Sequence, residues 1–351
     1  MNLMQSSSNN QLVIELEKWY SLIRKQHVKE AEKYYTSINA SFSKTASPIA
    51  TLYLLFRYRY LILLEDYQSD LELNISQFDS DFKLNYYYHF FKFIHRTNTG
   101  DYQQAQYYFD NAKELLKYID DECEIAEFNY RASLYYYYLD DPILAIHHSN
   151  SSLNLFSQYN EYEIKIAACE NTLGMSYTTL EKWQLAEEYL LSSLNTFKNH
   201  NLQQCVLKVT YNLGLLYSEQ NRPNLAIEHL LNSFENEKDY KTMFLLAREY
   251  YKSNNHTQAL FLLQKGLPFC DKLYTQHYNI LMAFIENKPL EELEDIITTA
   301  IEYLEPHRLW KDIQFYSDEL AIRYLNQKKP EKSNEFFYKS YTTKNHLING
   351  R

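Results

Sequence analysis

The sequence is short of the residues that interrupt helices, with 5 glycines and 7 prolines in 351 residues. That scarcity argues against a fold of many short strands and tight turns and favours continuous helix. Long apolar runs are missing as well. The best, "IATLYLLFRYRYLILL", is broken by Arg57 and Arg59 and falls short of the roughly 18 apolar residues that read as a membrane span. Basic charge is in deficit, 35 Lys and Arg against 45 Asp and Glu, for a formal net charge of −10. This argues against direct nucleic-acid binding, which needs a basic surface to displace counterions. The four cysteines, Cys123, Cys169, Cys205 and Cys270, contain no C-x-x-C pair and read as reduced core residues of a cytosolic protein. The N-terminal stretch "MNLMQSSSNNQ" lacks the regions of a signal peptide, so a cytoplasmic location is expected.

Chemical motifs are equally scarce. No G-x-x-x-x-G-K-S/T, G-x-G-x-x-G or G-x-S-x-G occurs, so neither a phosphate cradle nor a nucleophile elbow is supported. His147 and His148 are adjacent, about 100° apart on a helix, and have no second ligand pair at metal spacing. The acidic run from Glu291 to Asp295 reads as a solvated helix face. No catalytic residue, metal or cofactor is assigned.

What is abundant is aromatic residues, 16% of the chain and mostly its 35 tyrosines, and a repeat. "ENTLGMSYTTLEKWQLAEEYLLSSL" and "VTYNLGLLYSEQNRPNLAIEHL" align so that Gly174 matches Gly214, Tyr177 matches Tyr217 and Ala186 matches Ala226, each 40 residues apart. This is the tetratricopeptide pattern, two antiparallel helices in about 34 residues. Small residues let the two helices approach, and an aromatic packs across the pair. The second-helix alanine marks further copies at Ala105, Ala145 and Ala259, and Ser333 takes its place in the last. A degenerate copy fits around "YNILMAFIENKPLEELEDIITTAIEYL". Six to seven repeats are expected, winding into a superhelix with a concave inner face.

The segment before the repeats differs. "NNQLVIELEKWYSLIRK" carries Leu12, Leu16, Trp19, Tyr20 and Ile23 on one face, with Asn9 or Asn10 as its cap. "VKEAEKYYTSI" is a second helix, and Pro48 opens a third. The fold class is therefore all-α: a three-helix bundle over 1–70 and a repeat domain over 71–351, joined between Asp66 and Asp81. The apolar third helix and the missing glycine turn argue against a helix-turn-helix that reads DNA.

In each repeat, first-helix positions at i, i+4, i+7 and i+11 form one inner stripe. The fourth repeat places Lys208, Asn212, Leu215 and Glu219 there, flanked by Tyr211 and Ser218. The third offers Asn171 and Thr179; the second Tyr130, Arg131, Tyr137 and Tyr138; the fifth Phe244, Arg248, Tyr251 and Lys252. Amides, tyrosines and a few charges suit an extended peptide, because an amide can pair with a backbone N–H and C=O whatever the sequence. Asn212, Thr179, Asn171, Tyr211, Glu219, Tyr137, Arg248 and Lys208 are the expected peptide-binding residues.

Several stretches resemble the Rap proteins of bacilli: W-Y-x-x-I-R at Trp19–Arg24, V-x-x-A-E at Val28–Glu32, F-R at Phe56–Arg57 and Y-N-L-G-L at Tyr211–Leu215. The resemblance covers nearly the whole chain. It implies a quorum-sensing regulator with a three-helix bundle and a repeat domain, switched by a short secreted and re-imported Phr peptide. Some members dephosphorylate a response regulator; others hold a DNA-binding regulator off DNA. The resemblance makes Asn212 the clamp on the peptide backbone. It places Thr179 where relatives carry an aspartate, implying a peptide that is less basic at the facing residue or is bound differently. It puts Lys44 and Thr45, in "SFSKTASPIA", where phosphatase members carry an acidic stretch with a catalytic glutamine, so no phosphatase activity is expected. The expected function is sequestration of a transcription regulator, activator or repressor, until a peptide releases it. The Asn-, Tyr- and Lys-rich composition suits a copy carried by a plasmid or phage. The alternatives are a response-regulator phosphatase using another residue and a passive scaffold.

Overall fold

The structure, a computed structural model, describes residues 2–41, 48–68, 70, 81–234, 239–307 and 309–349. Among them no strand occurs, and the expected all-α fold is what forms. Three helices come first, α1 (Asn2–Arg24), α2 (Val28–Ser41) and α3 (Pro48–Leu63). Seven helix pairs follow: α4 (Phe82–Asn98) with α5 (Tyr102–Leu115), α6 (Glu122–Tyr138) with α7 (Pro142–Phe156), and α8 (Glu163–Thr179) with α9 (Trp183–Asn199). Then come α10 (Gln203–Glu219) with α11 (Pro223–Phe234), α12 (Tyr240–Lys252) with α13 (His256–Gly266), α14 (Lys272–Ile285) with α15 (Leu290–Leu304), and α16 (Trp310–Asn326) with α17 (Pro330–Asn349). The degenerate copy is the pair α14/α15. The chain divides into two compact units, 1–203 and 204–351.

One boundary differs from expectation. Helix α1 starts at Asn2 rather than behind a cap at Asn9 or Asn10. Residues 2–11 contain neither proline nor glycine, and serine and asparagine weaken a helix without stopping it.

Within a pair, glycine sets the approach. A Cβ on Gly174 would lie 2.6 Å from Leu190 Cγ, and one on Gly214 would lie 2.7 Å from Leu230 Cγ. The second-helix alanines Ala105, Ala145, Ala186, Ala226 and Ala259 are fully buried, as the repeat register requires. Tyr177 stacks on Tyr189 at 5.7 Å and Tyr217 on His229 at 5.2 Å, each joining the two helices of a pair. Cys123 and Cys169 are buried, but Cys205 and Cys270 are only half-buried, which corrects their reading as core residues.

The turn inside each pair closes with one residue in the left-handed region: Gly100, Asp140, Glu181, Asn221, Asn254, Asn287 and Lys328. Such a residue ends a helix by satisfying its last carbonyls. Gly, Asn and Asp tolerate the conformation, whereas Glu181 and Lys328 carry a side chain that does not favour it.

In the first unit the bundle and the first two pairs share one apolar core, in which Trp19, Phe56, Phe91, Phe109 and Phe128 all take part. Tyr20 of α1 stacks on Phe56 of α3 at 4.4 Å, and Trp19 Nε1 donates to the Ala31 carbonyl of α2 at 2.9 Å. Asp70, between α3 and α4, accepts from Lys92 Nζ at 2.6 Å and pairs with Arg96.

Two substitutions test this packing. Gly214→Ala is expected to destabilise the second unit by about 1–3 kcal/mol, since the methyl group overpacks Leu230. Glu181→Gly relieves about 1–2 kcal/mol of left-handed strain against about 0.5–1 kcal/mol of added chain entropy, so a net gain is expected. Urea unfolding of each variant measures both.

Candidate functional site

In the second unit the first helices α10, α12, α14 and α16 line a cavity of about 730 Å³. Its lining combines the aromatic rings of Tyr251, Phe284 and Phe315 with charged side chains. Glu249 is fully buried on α12, with its Oε1 accepting from Ser218 Oγ at 2.6 Å and Lys252 Nζ at 2.9 Å. Arg248 Nη2 donates to Ser218 Oγ at 3.1 Å, and its Nη1 lies 3.8 Å from Asp312. Lys311 of α16 reaches Glu219 of α10 at 2.9 Å. Arg323 pairs with Glu319, donates to the Tyr251 hydroxyl at 2.7 Å and lies 4.3 Å over the Phe284 ring. Paired cations and carboxylates thus share the lining with aromatic rings, a combination that can hold both charged groups and an apolar side chain of one zwitterionic ligand.

Electrostatics follow from burial. Burial, and then Arg248 beside it, hold the Lys252 ammonium below the usual lysine value against the pull of Glu249. Burial acts likewise on Arg248, but Glu249 and Asp312 outweigh it and secure the guanidinium charge.

Of the expected site residues, Glu219 and Arg248 line this cavity. Lys208, Tyr211 and Asn212 lie further back along α10: Lys208 is exposed, Tyr211 half-buried and Asn212 buried. In the first unit, Tyr137 is half-buried, and burial, followed by Tyr138, pushes its hydroxyl up to about 12. Asn171 is half-buried on α8. The Thr179 hydroxyl donates to the Met175 carbonyl of its own helix at 3.3 Å. Lys44 and Thr45 lie outside the described residues.

The inner wall of α16 was missed in the sequence: Lys311, Asp312, Phe315, Glu319 and Arg323. The signal was present, because Glu319 stands fourteen residues before Ser333, as Asn212 does before Ala226. Extending the stripe to the last repeat would have found it.

A second polar constellation ties the bundle to the repeats within the first unit. Arg24 Nη1 bonds Asp121 at 2.7 Å and Glu124 at 2.9 Å, and its Nε donates to the Tyr162 hydroxyl at 3.1 Å. The Tyr20 hydroxyl donates to Glu124 at 2.8 Å. Arg59 of α3 reaches Glu127 of α6 at 3.1 Å; Arg131 and Lys165 reach the same carboxylate at 2.9 and 2.6 Å. Burial would raise the Glu127 carboxyl, but Lys165, Arg131 and Arg59 outweigh it and hold it well below the usual range.

No protein-family model matches the sequence. Individual relatives do. The chain is 26% identical to response regulator aspartate phosphatase I of Bacillus subtilis, over 95% of this chain and 91% of that protein. It is 23% identical to regulatory protein RapK of the same organism, over 83% of each. The chain is a homologue of the Rap proteins. Its fold matches that of a Rap protein solved in complex with competence and sporulation factor, with a TM-score of 0.76, 19% identity, and coverage of 98% of this chain and 100% of the other.

In this Rap homologue the W-Y-x-x-I-R stretch has a physical role: Tyr20 and Arg24 dock α1 on Glu124 of α6, while Trp19 and Ile23 fill the core. No described helix is long and apolar enough to cross a membrane.

The buried lysine yields a pH prediction. Burial lowers the Lys165 ammonium to about 7; Glu127 opposes this, while Arg131 and Arg59 add to it. An unfolded lysine titrates near 10.4, so above about pH 7 the unfolded chain holds a proton that the folded protein has released. Stability therefore rises with pH across that window through this group. The stability of wild type relative to Lys165→Met should increase between about pH 6 and about pH 9.5 in urea titrations. A pH-independent difference would show that Lys165 keeps its proton in the fold.

Proposed function

We propose that this chain is a peptide-regulated, cytoplasmic Rap-type protein that sequesters a transcription regulator until a short Phr-like peptide binds the repeat domain and releases it. The bundle, over 1–70, holds the target; the repeats, over 71–351, hold the peptide. The observation that carries this reading is the cavity whose walls come from successive first helices. Its paired charges and aromatic side chains suit a peptide better than a single small metabolite. Asn212, Tyr211, Lys208, Glu219 and Arg248 of the second unit, with Asn171, Thr179 and Tyr137 of the first, are the proposed contacts. The solved Rap relative bound to competence and sporulation factor supports the ligand class.

The experiment is a thermal-unfolding screen of the pure protein against synthetic pentapeptides. A ligand at a hundred times its Kd adds about 2.7 kcal/mol to stability. The expected hit should also return a sequestered regulator to its DNA in a gel-shift assay. Asn212→Ala is expected to remove the peptide response and leave regulator binding intact. A normal response in that variant would refute the clamp, and no shift with any peptide would favour a passive scaffold.

A second reading, a response-regulator phosphatase, is favoured by the name of the 26%-identical relative. Incubation with a phosphorylated response regulator separates the two. Unchanged phosphate lifetime is expected, and accelerated loss would establish an enzyme.

A further inference from the structure

Glu127 faces three cations with a single negative charge. Arg59, Arg131 and Lys165 come from α3, α6 and α8, and all three lie within 3.1 Å of its carboxylate. Glu127 and Lys165 are fully buried and Arg59 is 1% exposed, whereas the Arg131 side chain keeps 11% of its surface open. Arg59 is the bundle's contribution, and its Nε and Nη1 have no acceptor among the described residues. Its hold on α6 therefore rests on one N–H, at Nη2, to a carboxylate that two other cations also use. After burial, the charge of Arg131 is the strongest influence working against the charged form of Arg59.

Arg131 is also the member placed to meet a ligand. It stands fourteen residues before Ala145, the register position that Asn212 holds before Ala226. The Tyr130 ring lies under it, 5.1 Å from its guanidinium carbon and 4.7 Å from Lys165 Nζ.

We infer that Glu127 couples the inner face of the first unit to the bundle, and that the ligand group which operates it is a carboxylate meeting Arg131. A carboxylate there neutralises the repulsion that Arg131 exerts on Arg59. Glu127 is then shared by one competitor fewer, and α3 is held more tightly on α6. By reciprocity, whatever draws the bundle away weakens the site for that carboxylate. The ligand's identity as a peptide rests on the proposed function; the charge relay does not.

Hydrogen exchange of the α3 amides tests the relay without any ligand, because tighter docking lowers the opening equilibrium that exchange reports. Exchange is measured in wild type, Arg131→Met, Arg59→Met and the double variant. Arg131→Met should slow α3 exchange several-fold, and the slowing should vanish in the Arg59→Met background. Arg131→Lys keeps the charge and should exchange as wild type does. Equal slowing with and without Arg59, no slowing, or slowing by Arg131→Lys overturns the relay.

A ligand arm uses the pentapeptides that raise stability, each made with a free or amidated C-terminus and with acidic residues or their amides. Loss of α3 protection on amidation places the carboxylate at the chain end; loss on replacing an acidic residue places it in a side chain. Protection by peptides that lack both overturns the assigned ligand group. A screen with no binding peptide, beside a non-additive Arg59 and Arg131 cycle, counts against the peptide reading and leaves the relay standing.

Discussion

The contact of Gly214 with Leu230, and of Gly174 with Leu190, sets the spacing on which each unit is built. No side chain separates the two helices at that point, so the pair is thin and presents apolar surface on both of its broad faces. Such a pair cannot bury that surface alone, and stacking against neighbours is what removes it from water. The first pair has no repeat before it. The bundle takes that place, and Phe56 and Trp19 enter the same core as Phe109 and Phe128 of α5 and α6. The bundle is in this sense the cap of the first unit as well as an element with a face of its own.

A purely apolar junction would have served that capping role at less desolvation cost. Buried ion pairs are often no more stabilising than hydrophobic side chains of the same volume, though removing one partner is strongly destabilising. The junction nevertheless uses Arg24 with Asp121 and Glu124, and Arg59 with Glu127. The two sets differ. Glu124 accepts from the Tyr20 and Tyr86 hydroxyls as well as from Arg24, so that set is well supplied with neutral donors. Glu127 is surrounded by cations only in its ion-pair contacts, which leaves the α3 side of the junction sensitive to any charge added nearby. One arginine fixes the register of docking and the other makes its strength adjustable.

The repeat architecture was legible in the sequence because its cause is local. Gly214, Tyr217 and Ala226 each pack within their own pair, so residue type and spacing suffice to reveal them. The bundle helices were legible for the same reason, through the apolar face of α1 and the proline that opens α3. Other features depend on residues far apart in the chain. Nothing near Arg59 signals Glu127, 68 positions later, and Arg59 read only as a break in an apolar run. Nor does anything near Glu219 signal Lys311. The left-handed turn residues were legible only where the type is suited to that conformation, as at Asn221, and not at Glu181 or Lys328. Of the cavity lining, register reached Glu219 and Arg248, while the α16 side was lost because the degenerate α14/α15 pair interrupted the count.

The cavity in the second unit also shows why its charges matter more than its size. Lys311 and Glu219 are substantially exposed, and pairs of that kind contribute about 0–1 kcal/mol, so a ligand group can replace either partner at small cost. Glu249 is different, because it is fully buried and is held by Ser218, Lys252 and Arg248 together. A ligand that took Lys252 or Arg248 for itself would strip donors from a carboxylate that has no water to turn to. Outer pairs can therefore exchange partners while the inner set resists. A zwitterionic chain would be read by its charges at the exposed pairs and by its apolar side chains at Phe284, Phe315 and Tyr251. Glu249 in one unit and Glu127 in the other are both fully buried carboxylates on first helices, and each is held by more than one cation.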